Sequence, residues 1–308
     1  MTRVLLFGGN GFLGRHVRDA LTPYAELLCP DRNGCDLVTA GVKELTGLLR
    51  ATEPDAVVNC TGRLDGSGYQ LVTANTVVTA KLIDAVAAGA PRARLVRIGS
   101  AGEYGPVPTG HAVSEQDAAR PVSEYGLSHL AGTRLVELAC AAGRLDGVVL
   151  RVFNPIGPGL HTDTLLGRAL ALLRQALMHG ADRIELGPLD AYRDFVDARD
   201  VARAVRAAVE APELSQPVLN IGGGRAAATR SAVRLLAQVA GFTGEILEGA
   251  SAPGANRTAA IGWICADISA AARVLGWAPT YDLSDSVKAL WAEPGGGGPR
   301  ATAGDPHI

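Results

Sequence analysis

The first half of the chain alternates short apolar runs with amphipathic stretches. Runs rich in β-branched residues predict strands at residues 3–7, 26–29, 56–59, 94–98 and 147–152. Between them, apolar positions that recur every three or four residues predict helices at residues 12–21, 42–50, 71–88 and 124–142. Because strands that alternate with helices are joined by right-handed crossovers, the pattern predicts an α/β fold with a doubly wound parallel sheet.

The pattern becomes less regular after about residue 153. It predicts a helix at 163–178, a short strand near Ile184, a helix at 197–208 and smaller elements as far as Trp291. We therefore expect two domains: residues 1–152, joined by returning segments near 190–222, and a smaller carboxyl-terminal substrate lobe built discontinuously from 153–292. Residues 293–308 carry too little apolar surface to offset ordering entropy, so we expect a flexible tail.

Composition narrows the class of protein. A chain of 308 residues with 47% hydrophobic content can bury a large core, and a net charge of −2 gives no reason to expect nucleic acid as a partner. We expect no cleaved leader before the first strand and no apolar stretch long enough to span a bilayer. Five widely spaced cysteines and no histidine pair at ligand spacing predict a cytoplasmic protein with reduced thiols and no metal site.

A glycine-rich loop links the first strand to the first helix. It reads Gly8-Gly9-Asn10-Gly11-Phe12-Leu13-Gly14, the context that a dinucleotide site requires. Gly8 permits a tight turn, Gly11 lets a pyrophosphate approach the backbone, and Gly14 lets the helix pack closely on the strand. The loop therefore predicts a dinucleotide site formed by these residues together with Asn10, Phe12 and Leu13.

Two residues after the second strand bear on the choice of cofactor. Asp31 is placed to bind the adenosine ribose hydroxyls, which favours NAD. The adjacent Arg32 could instead meet a 2′-phosphate, so NADP stays open.

The segment Tyr125-Gly-Leu-Ser-His129 resembles the Tyr-x-x-x-Lys motif of the extended short-chain dehydrogenases, with histidine in place of lysine. The resemblance implies a Rossmann sheet and a catalytic Tyr125 that passes a proton while hydride moves. In the family, the lysine holds the nicotinamide ribose and lowers the tyrosine pKa. An unperturbed histidine titrates near ~6.5, so we expect His129 to supply a part-time charge and hydride transfer to weaken at higher pH.

Ser100 stands in a segment, Ile98-Gly-Ser-Ala-Gly-Glu-Tyr-Gly105, that is similar to the Ser-Ser-Ala-x-Val-Tyr-Gly segment of the same family. The resemblance makes Ser100 the catalytic serine, which would hydrogen-bond the substrate oxygen. Sugar-nucleotide dehydratases carry an acid/base pair here, whereas this chain has Ala101 and Gly102. Glu103 follows one residue later and points to the other face, so we do not expect elimination.

Further residues resemble the family's cofactor contacts. The run Asn59-Cys60-Thr61-Gly62 resembles the Asn-Ala-Ala-Gly run that lines the cofactor, and Asn75 resembles the helix-borne asparagine that supports it. Cys60 follows an apolar strand, which favours a small packed residue over a nucleophile. Asp36 and Leu37 resemble the pair that binds adenine, although a solvated loop aspartate explains Asp36 equally well.

The second half resembles the nucleotide-sugar enzymes of the epimerase/dehydratase family, most of all the sugar 4-ketoreductases. The run Arg-Val-Phe-Asn-Pro-Ile-Gly-Pro-Gly at 151–159 and the block Tyr-Arg-Asp-Phe-Val-Asp at 192–197 carry this resemblance. It implies that Asn154, Arg193 and Arg257 bind the sugar diphosphate, for which planar guanidinium groups are well suited.

These observations together predict an NAD(P)-dependent oxidoreductase that acts at carbon 4 of a nucleotide-diphosphate sugar, either a 4-ketoreductase or a 4-epimerase. The family commonly dimerises through the helix of the catalytic tyrosine, so we expect a homodimer. The alternative is a non-catalytic protein that binds NAD(P) or a nucleotide sugar, because the lysine is replaced by His129.

Overall fold

Six parallel strands form the central sheet of the chain, whose computed structural model describes residues 1–249 and 261–293. The strands, numbered with the others in chain order, lie in the order β10-β5-β4-β3-β1-β2. Their bounds are β1 (Thr2–Phe7), β2 (Ala25–Leu28), β3 (Ala56–Asn59), β4 (Arg94–Ser100), β5 (Asp146–Val152) and β10 (Val218–Ile221). The first five lie within two residues of their predicted bounds.

Helices cover both faces of this sheet, which confirms the doubly wound prediction. On one face, α1 (Phe12–Leu21) packs against α7 (Ala198–Glu210), and their apolar stripes close the first core cluster. On the other face lie α2 (Val42–Thr52), α3 (Gly68–Val72), a π-helical turn (Thr73–Val77), α4 (Val78–Gly89) and α5 (Glu124–Ala141). Their apolar side chains, among them Leu45, Leu82 and Val136, form the second core cluster. A 3-10 turn (Ala101–Glu103) follows β4.

The continuous helix from α3 to α4 corrects one prediction. Gly68–Gly89 spans 22 residues and is long and apolar enough to cross a membrane by length and composition, so the prediction of no such stretch is wrong. In the fold, this helix packs against α2 and α5, and it contributes Val78, Leu82 and Val86 to the core. Core helices of this kind meet the same compositional test, so the helix alone is weak support for a membrane span.

The smaller lobe has its own apolar cluster, enclosed by α6 (Leu165–His179), α8 (Thr229–Val239) and α10 (Leu283–Ala292). Three two-stranded sheets complete it: β6 (Pro155–Ile156) with β9 (Val196–Asp197), β7 (Arg183–Leu186) with β12 (Glu245–Glu248), and β8 (Tyr192–Asp194) with β11 (Ala226–Ala228). Helix α9 (Ser269–Leu275) instead packs on the first domain beside β10 and α7. Of the predicted tail, only Glu293 lies among the described residues.

Parallel pairing brings the carboxyl ends of the strands to one edge. Phe7 of β1 pairs with Asn59 of β3, and Ser100 of β4 pairs with Val152 of β5. The loops that follow these strands therefore meet at this edge, where sheets of this kind bind their ligands.

Candidate active site

The glycine loop after β1 has no room for side chains at its two outer glycines. Gly8 has a φ of +79°, and a Cβ on it would lie 2.9 Å from the backbone carbon of Cys60. A Cβ on Gly14 would lie 1.9 Å from the Gly8 carbonyl oxygen. The amide of Gly11 donates to that same oxygen at 2.9 Å, and α1 begins at the next residue. A tight backbone turn against a helix amino terminus fits a dinucleotide pyrophosphate.

Asn10, Phe12 and Leu13, the other predicted cofactor residues of the glycine loop, each have a contact within the first domain. Asn10 accepts a hydrogen bond on Oδ1 from Arg18, eight residues later in α1. The Phe12 ring makes an edge contact with His16, at 5.8 Å between centroids, and Leu13 packs on the first core cluster.

Asp31 and Arg32 are both exposed in the loop after β2. The Oδ1 atom of Asp31 accepts a hydrogen bond from the Gly34 amide at 2.8 Å, so the carboxylate shapes its own turn. A carboxylate suited to the ribose hydroxyls of NAD and a guanidinium suited to the 2′-phosphate of NADP therefore stand side by side.

Asp36 and Leu37 have local structural partners. The Oδ1 atom of Asp36 accepts from the Val38 amide at 2.9 Å, and the Leu37 side chain is buried in the second core cluster. Lys81 of α4 donates to the Leu37 carbonyl oxygen at 2.6 Å, which holds this loop against the helix. Packing accounts for Leu37, and the role of Asp36 at the adenine stays a prediction.

The loop after β3 lies against the glycine loop, as its predicted role requires. Asn59 accepts hydrogen bonds from both the amide and the hydroxyl of Thr61, and Gly62 is exposed. Burial raises the pKa of the Cys60 thiol to about 12, which agrees with a packed residue and not with a nucleophile.

Asn75 joins this loop to α5. Its Nδ2 atom donates to the Arg63 carbonyl and to the Ser128 hydroxyl, each at 3.0 Å, and its Oδ1 accepts from the Arg63 amide. Ser128 in turn donates to the Tyr125 carbonyl at 2.8 Å. One buried asparagine therefore fixes the cofactor-side loop relative to the start of the tyrosine helix.

Ser100 and Tyr125 flank Gly102. A Cβ on Gly102 would lie 3.4 Å from the Ser100 Oγ atom and 3.4 Å from the Tyr125 ring. Ser100 ends β4, and its Oγ accepts from the Gly102 amide at 3.1 Å. Tyr125 lies in the first turn of α5, whose N-cap is Ser123. The two hydroxyl-bearing side chains thus share one small space at the carboxyl edge of the sheet.

His129 is buried one turn after Tyr125, and the two rings lie 4.7 Å apart. Its Nδ1 atom lies 3.4 Å from Nη2 of Arg97, a buried arginine of β4 that belongs to none of the predicted motifs. Burial and then the neighbouring guanidinium hold the His129 pKa well below its usual value. Burial and the guanidinium therefore oppose the expected part-time positive charge on His129 and favour a neutral imidazole.

Glu103 is fully buried on the other side of the serine, as the strand alternation predicted. Its carboxylate forms an ion pair with Arg151 at 2.8 Å and accepts from the Ser100 amide at 3.0 Å. Because both oxygens are engaged in this way, Glu103 supports the serine backbone and does not replace the missing dehydratase acid/base pair.

The predicted substrate residues lie where the smaller lobe meets the sheet. Asn154 follows β5 and donates from Nδ2 to the Asp194 carbonyl at 3.0 Å, which brings it next to Arg193 on β8. Burial lowers the pKa of Arg193, and its Nη1 atom donates to the Tyr192 carbonyl. Arg257 lies outside the described residues. Within the described ranges, no group of three metal-ligating side chains occurs.

The fold and the glycine turn define a dinucleotide-binding α/β protein, and comparison with known proteins gives the particular family. A model of the NAD dependent epimerase/dehydratase family matches residues 4–222. The chain belongs to this family.

Individual relatives match over nearly the whole length. A dTDP-6-deoxy-L-talose 4-dehydrogenase (NAD(P)(+)) of Kitasatospora kifunensis is 39% identical over 303 residues, which are 94% of each chain. A GDP-6-deoxy-D-mannose reductase of Pseudomonas aeruginosa is 27% identical and covers 94% of this chain and 96% of its own. A structure of RMD from Pseudomonas aeruginosa complexed with NADPH has a TM-score of 0.83 and 25% identity, over 94% and 98% of the chains.

These matches confirm the predicted family, fold class and NAD(P) dependence. Such relatives are NAD(P)-dependent enzymes of sugar nucleotides, so the prediction of an enzyme of this class is confirmed and the non-catalytic alternative is not favoured. The roles of individual residues stay predictions.

Proposed function

We propose that the chain interconverts the 4-hydroxyl and 4-keto forms of a nucleotide-diphosphate 6-deoxysugar with NAD(P). The arrangement of Ser100 and Tyr125 around Gly102, beside the glycine turn, carries the proposal. The 4-dehydrogenase relative supports the position of reaction and the 6-deoxysugar, and it favours a dehydrogenase or ketoreductase over an epimerase.

The side chains around Gly102 have complementary tasks in this reaction. When bound in the glycine turn, NAD(P) supplies or accepts the hydride. The Tyr125 phenol gives a proton to the carbon-4 oxygen on reduction and takes it on oxidation. The Ser100 hydroxyl donates a hydrogen bond to the same oxygen and favours its developing charge. Glu103 holds the serine backbone in place, and Asn154 and Arg193 would hold the diphosphate.

The decisive experiment follows nicotinamide absorbance with dTDP-6-deoxy-L-talose and either NAD or NADP, and with the corresponding 4-keto sugar and reduced cofactor. We expect stoichiometric cofactor turnover in both directions. Tyr125→Phe should lose about 10² to 10⁴-fold in rate while it keeps cofactor binding. Epimerised sugar without net cofactor change would show an epimerase instead, and absence of hydride transfer across dTDP, GDP and UDP sugars would refute the proposal.

We also infer a homodimer. Exposed apolar side chains lie on α3, the π-helical turn and α5, which pack side by side: Tyr69, Val72, Val77, Leu127 and Leu138. Apolar side chains on neighbouring helices are typical of a helix-mediated interface. Light scattering should give twice the chain mass, and Leu127→Glu with Leu138→Glu should yield monomers; a wild-type monomer would contradict the inference.

The compartment is also a proposal. All five cysteines are free thiols, and burial raises the pKa of Cys35, Cys60, Cys140 and Cys265. Unpaired thiols support a reducing compartment such as the cytoplasm.

A further inference from the structure

Arg97 is a buried cation in the middle of β4, three residues before Ser100. Its side chain is almost wholly enclosed, with 2% of the residue exposed. The Nε atom donates to Thr79 Oγ1 at 2.9 Å, Nη1 donates to Thr133 Oγ1 at 3.3 Å, and Nη2 donates to the Asn75 carbonyl at 3.2 Å. The guanidinium thus lies between the strand, α4 and α5, directly under the tyrosine helix.

Helix α5 carries a glycine, Gly132, where it passes close to the Arg97 guanidinium. A Cβ on Gly132 of α5 would lie 2.7 Å from Nη2 of Arg97, so a larger residue there would collide with the guanidinium. In the described parts of the chain, no carboxylate forms an ion pair with Arg97, and its acceptors are neutral oxygens and one imidazole nitrogen. The Glu103 carboxylate, whose own ion pair is with Arg151, attracts this guanidinium only through space. Burial of a guanidinium without a direct counter-ion is costly, so its position calls for a reason beyond packing.

The contact with His129 fixes the state of the imidazole. An arginine can only donate hydrogen bonds, so in its 3.4 Å contact with Nη2 of Arg97 the Nδ1 atom of His129 is the acceptor. It shares the two protons of this nitrogen with the carbonyl oxygens of Asn75 and His129. A neutral imidazole with an accepting Nδ1 carries its proton on Nε2. The ring therefore keeps one N–H donor while its neighbour, the Tyr125 ring, lies 4.7 Å away.

We propose that two residues divide the task of the motif's lysine: Arg97 supplies the fixed positive charge that favours the Tyr125 phenolate, and His129 supplies the hydrogen-bond donor toward the cofactor ribose. This inference rests on the proposed function, in which Tyr125 moves the proton. Burial lowers the pKa of Arg97, but a guanidinium starts from so high a value that it stays charged at physiological pH. The arrangement therefore acts as a lysine would without a charge on the histidine. Arg97 is a positioning residue, because it acts through Tyr125 and His129.

Other charged groups around Tyr125 do not duplicate this role. Glu103 and Arg151, from the 3-10 turn and β5, form an ion pair with each other. Glu124 of α5 has Oε1 near Gly68, where a Cβ would meet it at 2.8 Å. The side chains that α4 and the π-helical turn present to Arg97 are neutral.

The first test titrates Tyr125 by phenolate absorbance, as the difference between wild type and Tyr125→Phe, without cofactor or substrate. We expect a midpoint at least one unit below the ordinary tyrosine value of about 10. Arg97→Gln removes the charge but keeps an N–H donor, and it should raise that midpoint by one unit or more. Hydride transfer at pH 7 should fall tenfold or more and recover as the pH is raised, whereas Arg97→Lys should retain most of the shift.

A matched control is Arg94→Gln on the same strand, whose guanidinium binds Asp146 and backbone carbonyls away from Tyr125. This variant should lower stability without moving the Tyr125 midpoint. The double variant Arg97→Met with His129→Lys restores a single lysine and should recover the low midpoint. An ordinary or raised Tyr125 midpoint in wild type, or an unmoved midpoint in folded Arg97→Gln, overturns the proposal. Because the titration needs no substrate, it tests the role of Arg97 even if no activity is found for the proposed function.

Discussion

Glu103 accepts a hydrogen bond on Oε2 from Nε of Arg151 at 2.8 Å, and the exposed fractions of the two side chains are 0% and 2%. The second carboxylate oxygen accepts from the Ser100 amide at 3.0 Å. Arg151 belongs to β5 and Ser100 ends β4, so this ion pair fixes the serine relative to the neighbouring strand. The site geometry therefore depends on a contact between strands as well as on the two reacting side chains.

Replacing Arg151 with methionine should destabilise the protein by about 3–5 kcal/mol, because it leaves the Glu103 carboxylate buried without its counter-ion. Urea unfolding measures this loss, and the double variant Arg151→Met with Glu103→Gln should recover part of it. Arg144→Ala is the control, since its ion pair with Asp84 is half exposed and should contribute under about 1 kcal/mol. Equal losses for the two single arginine variants would contradict the role of burial.

Gly14→Ala should abolish cofactor binding. The new methyl would meet the Gly8 carbonyl at 1.9 Å and force α1 away from the turn that receives the pyrophosphate. Titration with NADH, followed by its fluorescence, measures the loss. Gly47→Ala in α2 is the matched control, because nothing lies within 4 Å of its new Cβ. Intact binding by Gly14→Ala would show that the pyrophosphate lies elsewhere.

Local patterns predicted most of the sheet domain. The bounds of α1 and β3 agree with prediction residue for residue, because glycine and proline breaks and a clear apolar period mark their ends. The membership of β10 in the central sheet depends on pairing with β5, about 70 residues earlier, and local patterns do not give the register of so distant a pairing. Likewise, periodicity could not show that the apolar helix Gly68–Gly89 is half covered by protein.

The sequence motifs predicted which residues form the candidate site, but they did not predict the charges around those residues. The motif located Tyr125 and His129, but the charge near them comes from Arg97, which belongs to no motif. One signal was present: Arg97 stands among apolar residues in a run that reads as a fully buried strand. Its contact with His129, 32 positions later, arises because β4 packs against α5. A local pattern in one sequence does not show which residues such packing brings together.

The buried state of His129 should make the protein less stable in acid. Its folded pKa lies well below 6.5, so below pH 6.5 the unfolded chain binds a proton that the folded chain does not. The free energy of unfolding should fall by up to about 1.4 kcal/mol per pH unit as pH decreases through this range. Burial also lowers the pKa of His16, which adds to the slope.

His129→Gln should therefore flatten the pH dependence of urea unfolding between about pH 4.5 and 6.5 by about one proton. His179→Gln, at an exposed position near the end of α6, is the matched control and should leave the slope as it is. The same slope in wild type and His129→Gln would mean that the imidazole is protonated in the folded protein.

Arg193 should determine affinity for the sugar nucleotide and leave the chemical step nearly unchanged. Its half-buried guanidinium donates to the Tyr192 carbonyl, and Asn154 binds the backbone of the next residue, Asp194. A charged hydrogen bond to a diphosphate is worth about 1.5–3 kcal/mol. Arg193→Gln should thus raise KM about tenfold or more with a small change in kcat and in cofactor affinity. Arg230→Gln, which breaks an exposed ion pair with Glu248, should change none of these constants. A lowered kcat at unchanged KM would place Arg193 at the reacting carbon instead of the diphosphate.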